Sequence, residues 1–184
     1  PLTKHTKKTI TELIASGNVD LGLHPDALDN PEKYAEIFSE QVDWFKNKFN
    51  VPPFSVRNHG FLNDGYWGHL NAWLQGDIKF SSNIPGLDGT VLTGSLLPAR
   101  VIHNNILTDH WSILTAIGDG LIFVNKIDDK KGSEYIYSLA DSIRSSQMPG
   151  VMVFNLHPQN IELTKHLHYA VLDLIKDGFV PMTI

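Results

Sequence analysis

Short apolar runs alternate with helically spaced stretches along the whole chain, and that alternation constrains the fold more than any other feature. Runs at 19–23, 54–56, 78–80, 120–125, 151–156 and 179–183 read as strands. Between them, 4–16, 30–49, 64–75, 132–146 and 161–177 repeat apolar residues at helical spacing. Strands that alternate with helices form a parallel sheet covered by helices, and a run such as VMVFNL points to burial on both faces. The class is therefore α/β. An open doubly wound sheet and a closed β/α barrel share this alternation, and both gather their chemistry at the C-terminal ends of strands.

Local signals agree with these boundaries. Ser16-Gly17-Asn18 is a helix stop, and Asn30-Pro31-Glu32 is a helix start with an N-cap residue and proline in the first turn. Tyr34, Ile37, Phe38, Val42, Phe45 and Phe49 make the apolar face of the helix that follows, and Val51-Pro52-Pro53 breaks it. Residues 84–112 are punctuated by Gly and Pro into short strands and turns, longer than a simple βα connection needs.

With 184 residues the chain is long enough to bury a real core, and it reads as one domain over 1–184. A net charge of −5, spread without blocks, argues against a nucleic-acid groove or a basic membrane-binding face. The absence of cysteine excludes disulfides, zinc fingers and a thiol nucleophile, and it leaves the compartment open, with the cytoplasm preferred. No apolar run approaches the roughly 20 residues that span a bilayer, so a soluble protein is expected.

Two runs end alike: VDLGLHPD places His24-Pro25 after its apolar residues, and VMVFNLHPQN places His157-Pro158. Proline biases the preceding histidine toward extended backbone and removes the next amide donor, so each strand stops with an imidazole at the sheet edge. Such a histidine suits a metal ligand or an acid/base group. Asp26 and Asp29 follow closely enough to share a metal with His24, although Asp29 and Asn30 also suit a helix cap. Arg57, in the strand-ending Arg57-Asn58-His59-Gly60, could hold a carboxylate ionised or grip an anion. Asp109-His110-Trp111 combines a carboxylate, an imidazole and a large ring, which suits a substrate wall or a packed loop. Tyr66 and Trp67 could stack on a sugar, or serve the core, since Trp67, Leu70 and Trp73 share helical spacing. His5, His69, His166 and His168 fall on helices as surface or packing residues. No GxGxxG, Walker or GxSxG sequence is present.

Taken in order, these stretches resemble the motifs of the polysaccharide deacetylase superfamily, the NodB-homology or carbohydrate esterase family 4 fold. ELIASGNVDLGLHPD is similar to its second motif, FSVRNHGF to the third, LTDHW to the fourth, and VMVFNLHPQN to the fifth. The His-Pro form looks like an outlying branch associated with surface polysaccharides. The resemblance implies a distorted or incomplete (β/α)7 barrel and a divalent metal ion, commonly zinc, that activates water to remove an N- or O-acetyl group from a sugar. It implies His24 as a metal ligand, with Asp26 or Asp29 standing in for the family's second metal histidine. It also implies Arg57 as the residue that orients the catalytic base, and Asp109 with Trp111 as shapers of the site. His157 becomes the general acid or a further metal ligand, and His59, Trp111 and Tyr66 face the carbohydrate.

The family's first motif, a Thr-Phe-Asp-Asp strand supplying the base and a ligand, has no counterpart here, so the chain is expected to be part of a longer protein that lacks its first strand. Two alternatives follow. One is a catalytically inactive carbohydrate-binding relative. The other is a metal hydrolase of the amidohydrolase or TatD type, because LGLHPD is also similar to their Gly-x-His-Pro stretch.

Overall fold

The computed structural model describes residues 4–17, 19–64, 67–85, 96–124 and 126–182. The chain divides into two compact units. The first takes in the chain up to Asn83 together with Arg100–Ser112, and the second holds Ile84–Ala99 and Ile113–Pro181.

In the first unit, helix α1 (Lys4–Ala15) stops at Gly17, whose φ of 72° turns the chain left-handed. Helix α2 (Tyr34–Phe49) follows a 3-10 turn at Pro31–Lys33. Asn30 starts that turn through its carbonyl, which accepts from the Lys33 amide at 3.0 Å; its side chain makes no capping bond. Tyr34, Phe38, Val42 and Phe45 lie on one face of α2 and are buried, as the spacing predicts. Asn50, in the left-handed region at φ 59°, ends the helix by returning its amide to the Lys46 carbonyl, ahead of Pro52-Pro53. Strand β1 (Ser55–Val56) runs parallel to β2 (Phe80–Pro85), with Val56 opposite Ser81. Helix α3 (Leu70–Gln75) connects them. Strands β3 (Ala99–His103) and β4 (Ile106–Gly118) form a hairpin on Asn104-Asn105, both at positive φ, as a two-residue turn requires. The strand order is β1-β2-β4-β3. Leu23, Tyr34, Phe38, Phe45, Val56, Leu70, Trp73 and Ile78 make the core beneath it.

In the second unit the later part of β4 pairs in parallel with β5 (Val153–Asn155). Helices α4 (Asp119–Val124), α5 (Asp129–Ser146) and α6 (Lys165–Lys176) complete it, and α5 packs along α6. Asp128 caps α5 by accepting from the Lys130 amide at 2.9 Å. Ile117, Ile122, Ile136, Ala140, Leu167 and Ala170 form the core. Among the described residues, no helix is long and apolar enough to cross a membrane.

Four expectations change. Residues 120–124 are helical, because a short apolar run does not by itself separate helix from strand; the strand is 106–118, which begins inside the segment expected to be irregular and runs past its end. Among the described residues, the helix expected over 64–75 covers Leu70–Gln75. Residues 179–182 form no strand. The run at 19–23 contributes a single parallel bridge, Leu23 to Val56. Gly22 lies so close to the neighbouring chain there that a Cβ would collide with Ser55 Oγ and stand 3.0 Å from the Ser55 carbonyl oxygen. Gly22→Ala is therefore expected to cost about 1–3 kcal/mol through overpacking. An unchanged urea midpoint would contradict this close approach.

Candidate functional site

In the first unit, the chain is tied across the ends of the 23-region and β1 by backbone bonds: Leu23 N–H to Ser55 O at 2.9 Å, Arg57 N–H to Leu23 O at 3.0 Å, and His59 N–H to Pro25 O at 2.7 Å. Pro25 cannot extend a ladder as a donor, so its carbonyl serves instead as the anchor for His59. His24 Nδ1 lies 2.7 Å from the Arg57 carbonyl oxygen. A carbonyl only accepts, so Nδ1 carries the proton and Nε2 keeps its lone pair. That nitrogen stands 3.1 Å from His59 Nδ1, with the rings edge to face at 80°. Both imidazoles are exposed. Beside them is a pocket of about 230 Å³ lined by His24, Ser55, Arg57, Ser81 and Ser82 among others, a polar surface that suits a hydroxyl-rich ligand.

The loop carrying His59 rests on buried polar groups. Asn58 is 1% exposed; its amide donates to Asn83 Oδ1 at 2.8 Å, its Nδ2 to the Leu62 carbonyl at 2.7 Å, and its Oδ1 accepts from Tyr34 OH at 2.6 Å. The Tyr34 hydroxyl in turn accepts from Trp73 Nε1 at 2.7 Å, and Asn83 Nδ2 reaches Asn63 Oδ1 and the Leu62 carbonyl. Burial holds the Tyr34 phenol protonated, with its pKa far above the ordinary value. Gly60 at φ 59° and Phe61 at φ 54° complete the turn.

The other carboxylates stand apart from the histidine pair. Asp26 Oδ1 accepts from the Leu28 amide at 3.4 Å within its own turn, and Asp29 is exposed just before the Pro31 turn. Asp109 is exposed on β4, 3.0 Å from Lys79 Nζ, and that ammonium holds its carboxyl below the usual range; Lys79 also pairs with Asp77 at 2.8 Å. Trp111 is half-buried and its amide donates to the Lys79 carbonyl at 2.7 Å. His110, between them, faces inward: Nδ1 meets the Ile78 carbonyl at 2.9 Å, Nε2 meets Ser81 Oγ at 2.9 Å, and the ring stacks on Trp73. Tyr66 lies outside the described residues.

His157, in the second unit, follows β5. Asp119, fully buried at the end of β4, accepts three bonds: from His157 N–H at 2.7 Å, from His157 Nδ1 at 2.6 Å and from Asn160 Nδ2 at 3.2 Å. The imidazole is thereby oriented with Nδ1 protonated and Nε2 left for chemistry, the arrangement by which a carboxylate steers a general acid or base.

The donor set fits a divalent metal in part. A histidine that ligates through one nitrogen usually donates its other N–H to a carbonyl or carboxylate, and His24 makes a bond of that kind to the Arg57 carbonyl. Among the described residues, no group of three or more His, Asp or Glu side chains gathers closely enough to hold a metal.

No family model matches the chain, and no curated protein matches it. Among solved structures, it is similar to a candidate polysaccharide deacetylase involved in O-antigen biosynthesis from Bordetella bronchiseptica, with a TM-score of 0.51 and 15% identity. The match covers 97% of this chain and 79% of that one. The chain shares that fold.

Sequence reasoning missed Asp119, Asn58, Asn83 and the Tyr34 hydroxyl. Asp119 carried a signal, since it too is a polar residue closing an apolar run, like His24. His69 is buried rather than superficial, with its ring 3.6 Å from that of Tyr34, and its Nε2 has no hydrogen-bond partner. Burial lowers the pKa of both His69 and His110. Because the folded values lie below the unfolded one of about 6.5, the stability they contribute is complete above that pH and is lost as pH falls toward the folded values. Melting temperature is expected to drop on acidification from pH 7 to 5, and His69→Phe, which keeps the stack, to reduce that drop. An identical pH slope in the variant would show that His69 is not a source of it.

Proposed function

We propose that the protein is a metal-dependent carbohydrate deacetylase-like hydrolase that removes an N- or O-acetyl group from a sugar of a surface polysaccharide. The observation that carries this reading is His24: a strand-end imidazole whose Nδ1 is held by the Arg57 carbonyl, with Nε2 presented beside a polar pocket. The shared fold agrees with it, and the incomplete (β/α)7 barrel belongs to the same reading.

In this proposal His24 would help to hold a divalent ion, zinc being the candidate, which when bound would lower the pKa of water from 15.7 to about 7 and polarise the acetyl carbonyl. Arg57, with Ser55 and Ser82 of the pocket, orients the sugar by hydrogen bonding. In the second unit Asp119 holds the His157 ring with Nδ1 protonated, which leaves Nε2 to serve as a general acid. The test is acetate release from acetylated amino-sugar oligosaccharides incubated with purified protein and zinc. Release that chelator suppresses and His24→Ala abolishes is expected; release untouched by either would reject the reading.

A second reading, a non-catalytic carbohydrate-binding relative, is favoured by the absence of a three-donor metal group among the described residues. It expects sugar binding with neither acetate release nor stoichiometric metal.

A further inference from the structure

We infer that Phe80 is a sugar-stacking residue, the platform on which the polar pocket of the first unit receives the C–H face of a pyranose ring; the inference rests on the carbohydrate reading above. It follows from which side chains share a face of the sheet. Leu23 bridges to Val56, Val56 pairs with Ser81, and the Ser81 hydroxyl meets His110 Nε2 at 2.9 Å. These side chains are buried and form the face packed on the core. Successive side chains alternate along a strand, so Gly22, Ser55, Phe80 and Trp111 emerge on the opposite face. Two residues on, His24, Arg57 and Ser82 follow on that same face. Exposure agrees, since each of them is exposed or half-buried while its neighbours Leu23, Val56, Ser81 and His110 are buried.

The open face therefore carries two rows of different chemistry. In the first, Gly22 has no side chain and Ser55 a short one, so space is left beside the Phe80 ring, and the pocket of about 230 Å³ lies there. Phe54 packs on Phe80 with ring centroids 5.2 Å apart and planes tilted by 44°, which holds the ring in position. In the second row Arg57 and Ser82 supply polar groups, with Ser55 between the rows. A pyranose complements both rows at once. Its axial C–H groups are positively polarised and suit the negative face of the phenyl ring, while its hydroxyls reach the polar row. An inorganic anion would leave the Phe80 ring uncovered, and an acyl chain would desolvate the serine hydroxyls without a hydrogen bond in return.

The experiment is proton NMR of N-acetylglucosamine and N-acetylgalactosamine oligosaccharides titrated with the intact chain, with calorimetry for affinity. A proton held over a ring face moves upfield, so the axial C–H protons of one sugar residue are expected to shift upfield on the wild type. Phe80→Leu keeps the apolar volume and removes the ring. It is expected to abolish that shift and to weaken binding about 10-fold, the scale of an aromatic contact beyond the area it buries. Phe80→Tyr keeps the ring and is expected to keep both the shift and the affinity. Should Phe80→Leu not fold by circular dichroism, Phe80→Met replaces it. Wild-type binding without the upfield shift, a shift that persists in Phe80→Leu, or an unchanged affinity in that variant overturns the inference and leaves the carbohydrate reading standing. A wild type that binds neither oligosaccharide overturns both.

Discussion

Asp119→Asn is expected to lower acetate release by about 100- to 10,000-fold, the range that general acid–base catalysis contributes, while leaving a folded protein. The reason lies in donor counting. Three N–H groups converge on the buried carboxylate, two from His157 and one from Asn160. An amide offers one acceptor oxygen and one NH2, so one of those donors must face another donor. The simplest relief is for His157 to move its proton to Nε2, which makes Nδ1 an acceptor and takes away the carboxylate-held Nδ1–H that orients the ring for proton transfer at Nε2. Leaving one buried donor unpaired costs about 1–3 kcal/mol instead. Asp119→Ala should be worse for the fold, because every donor then loses its partner. His157→Ala should match Asp119→Asn in acetate release, and the double variant should lose little more than either, since the two act as one unit. Additive losses, or near-normal release in Asp119→Asn, would dissociate the pair from the chemistry. Activity and a urea curve on each variant decide between these outcomes.

How much of this was legible in the sequence depended on whether a residue announces its role through its chain neighbours. His24 and His157 did so for their placement at the ends of apolar runs, because proline after histidine ends a strand whatever surrounds it. The α2 face from Tyr34 to Phe45 did as well, since a period of 3.6 is a local property. The pairing of His24 with His59 did not: 35 residues separate them, and only the Leu23–Val56 bridge brings the two strand ends side by side. Asp109 looked like the site carboxylate because it sits next to a histidine and a tryptophan in sequence. On a strand such neighbours alternate sides, so His110 is buried, Asp109 meets Lys79 at the surface, and the carboxylate beside His157 is Asp119, ten residues further on. Tyr34 was legible as core, but nothing local says that its hydroxyl is the hinge of a buried network.

That hydroxyl leads to the largest expected effect on stability. Tyr34→Phe deletes one oxygen and orphans two buried groups at once, the Trp73 Nε1–H that donates to it and the Asn58 Oδ1 that accepts from it. With Trp73 at 2% and Asn58 at 1% exposure, neither finds water, and at about 1–3 kcal/mol for each unsatisfied group the loss should reach about 2–6 kcal/mol. Asn58→Ala should cost a comparable amount by a different route: the Leu62 carbonyl keeps its bond from Asn83 at 3.1 Å, but the Tyr34 donor is stranded and a cavity opens. The two changes remove the same bond, so the double variant should fall short of the sum by about 0.5–3 kcal/mol. A Tyr34→Phe protein that unfolds at the wild-type urea concentration would mean that the network does not support the loop that carries His59.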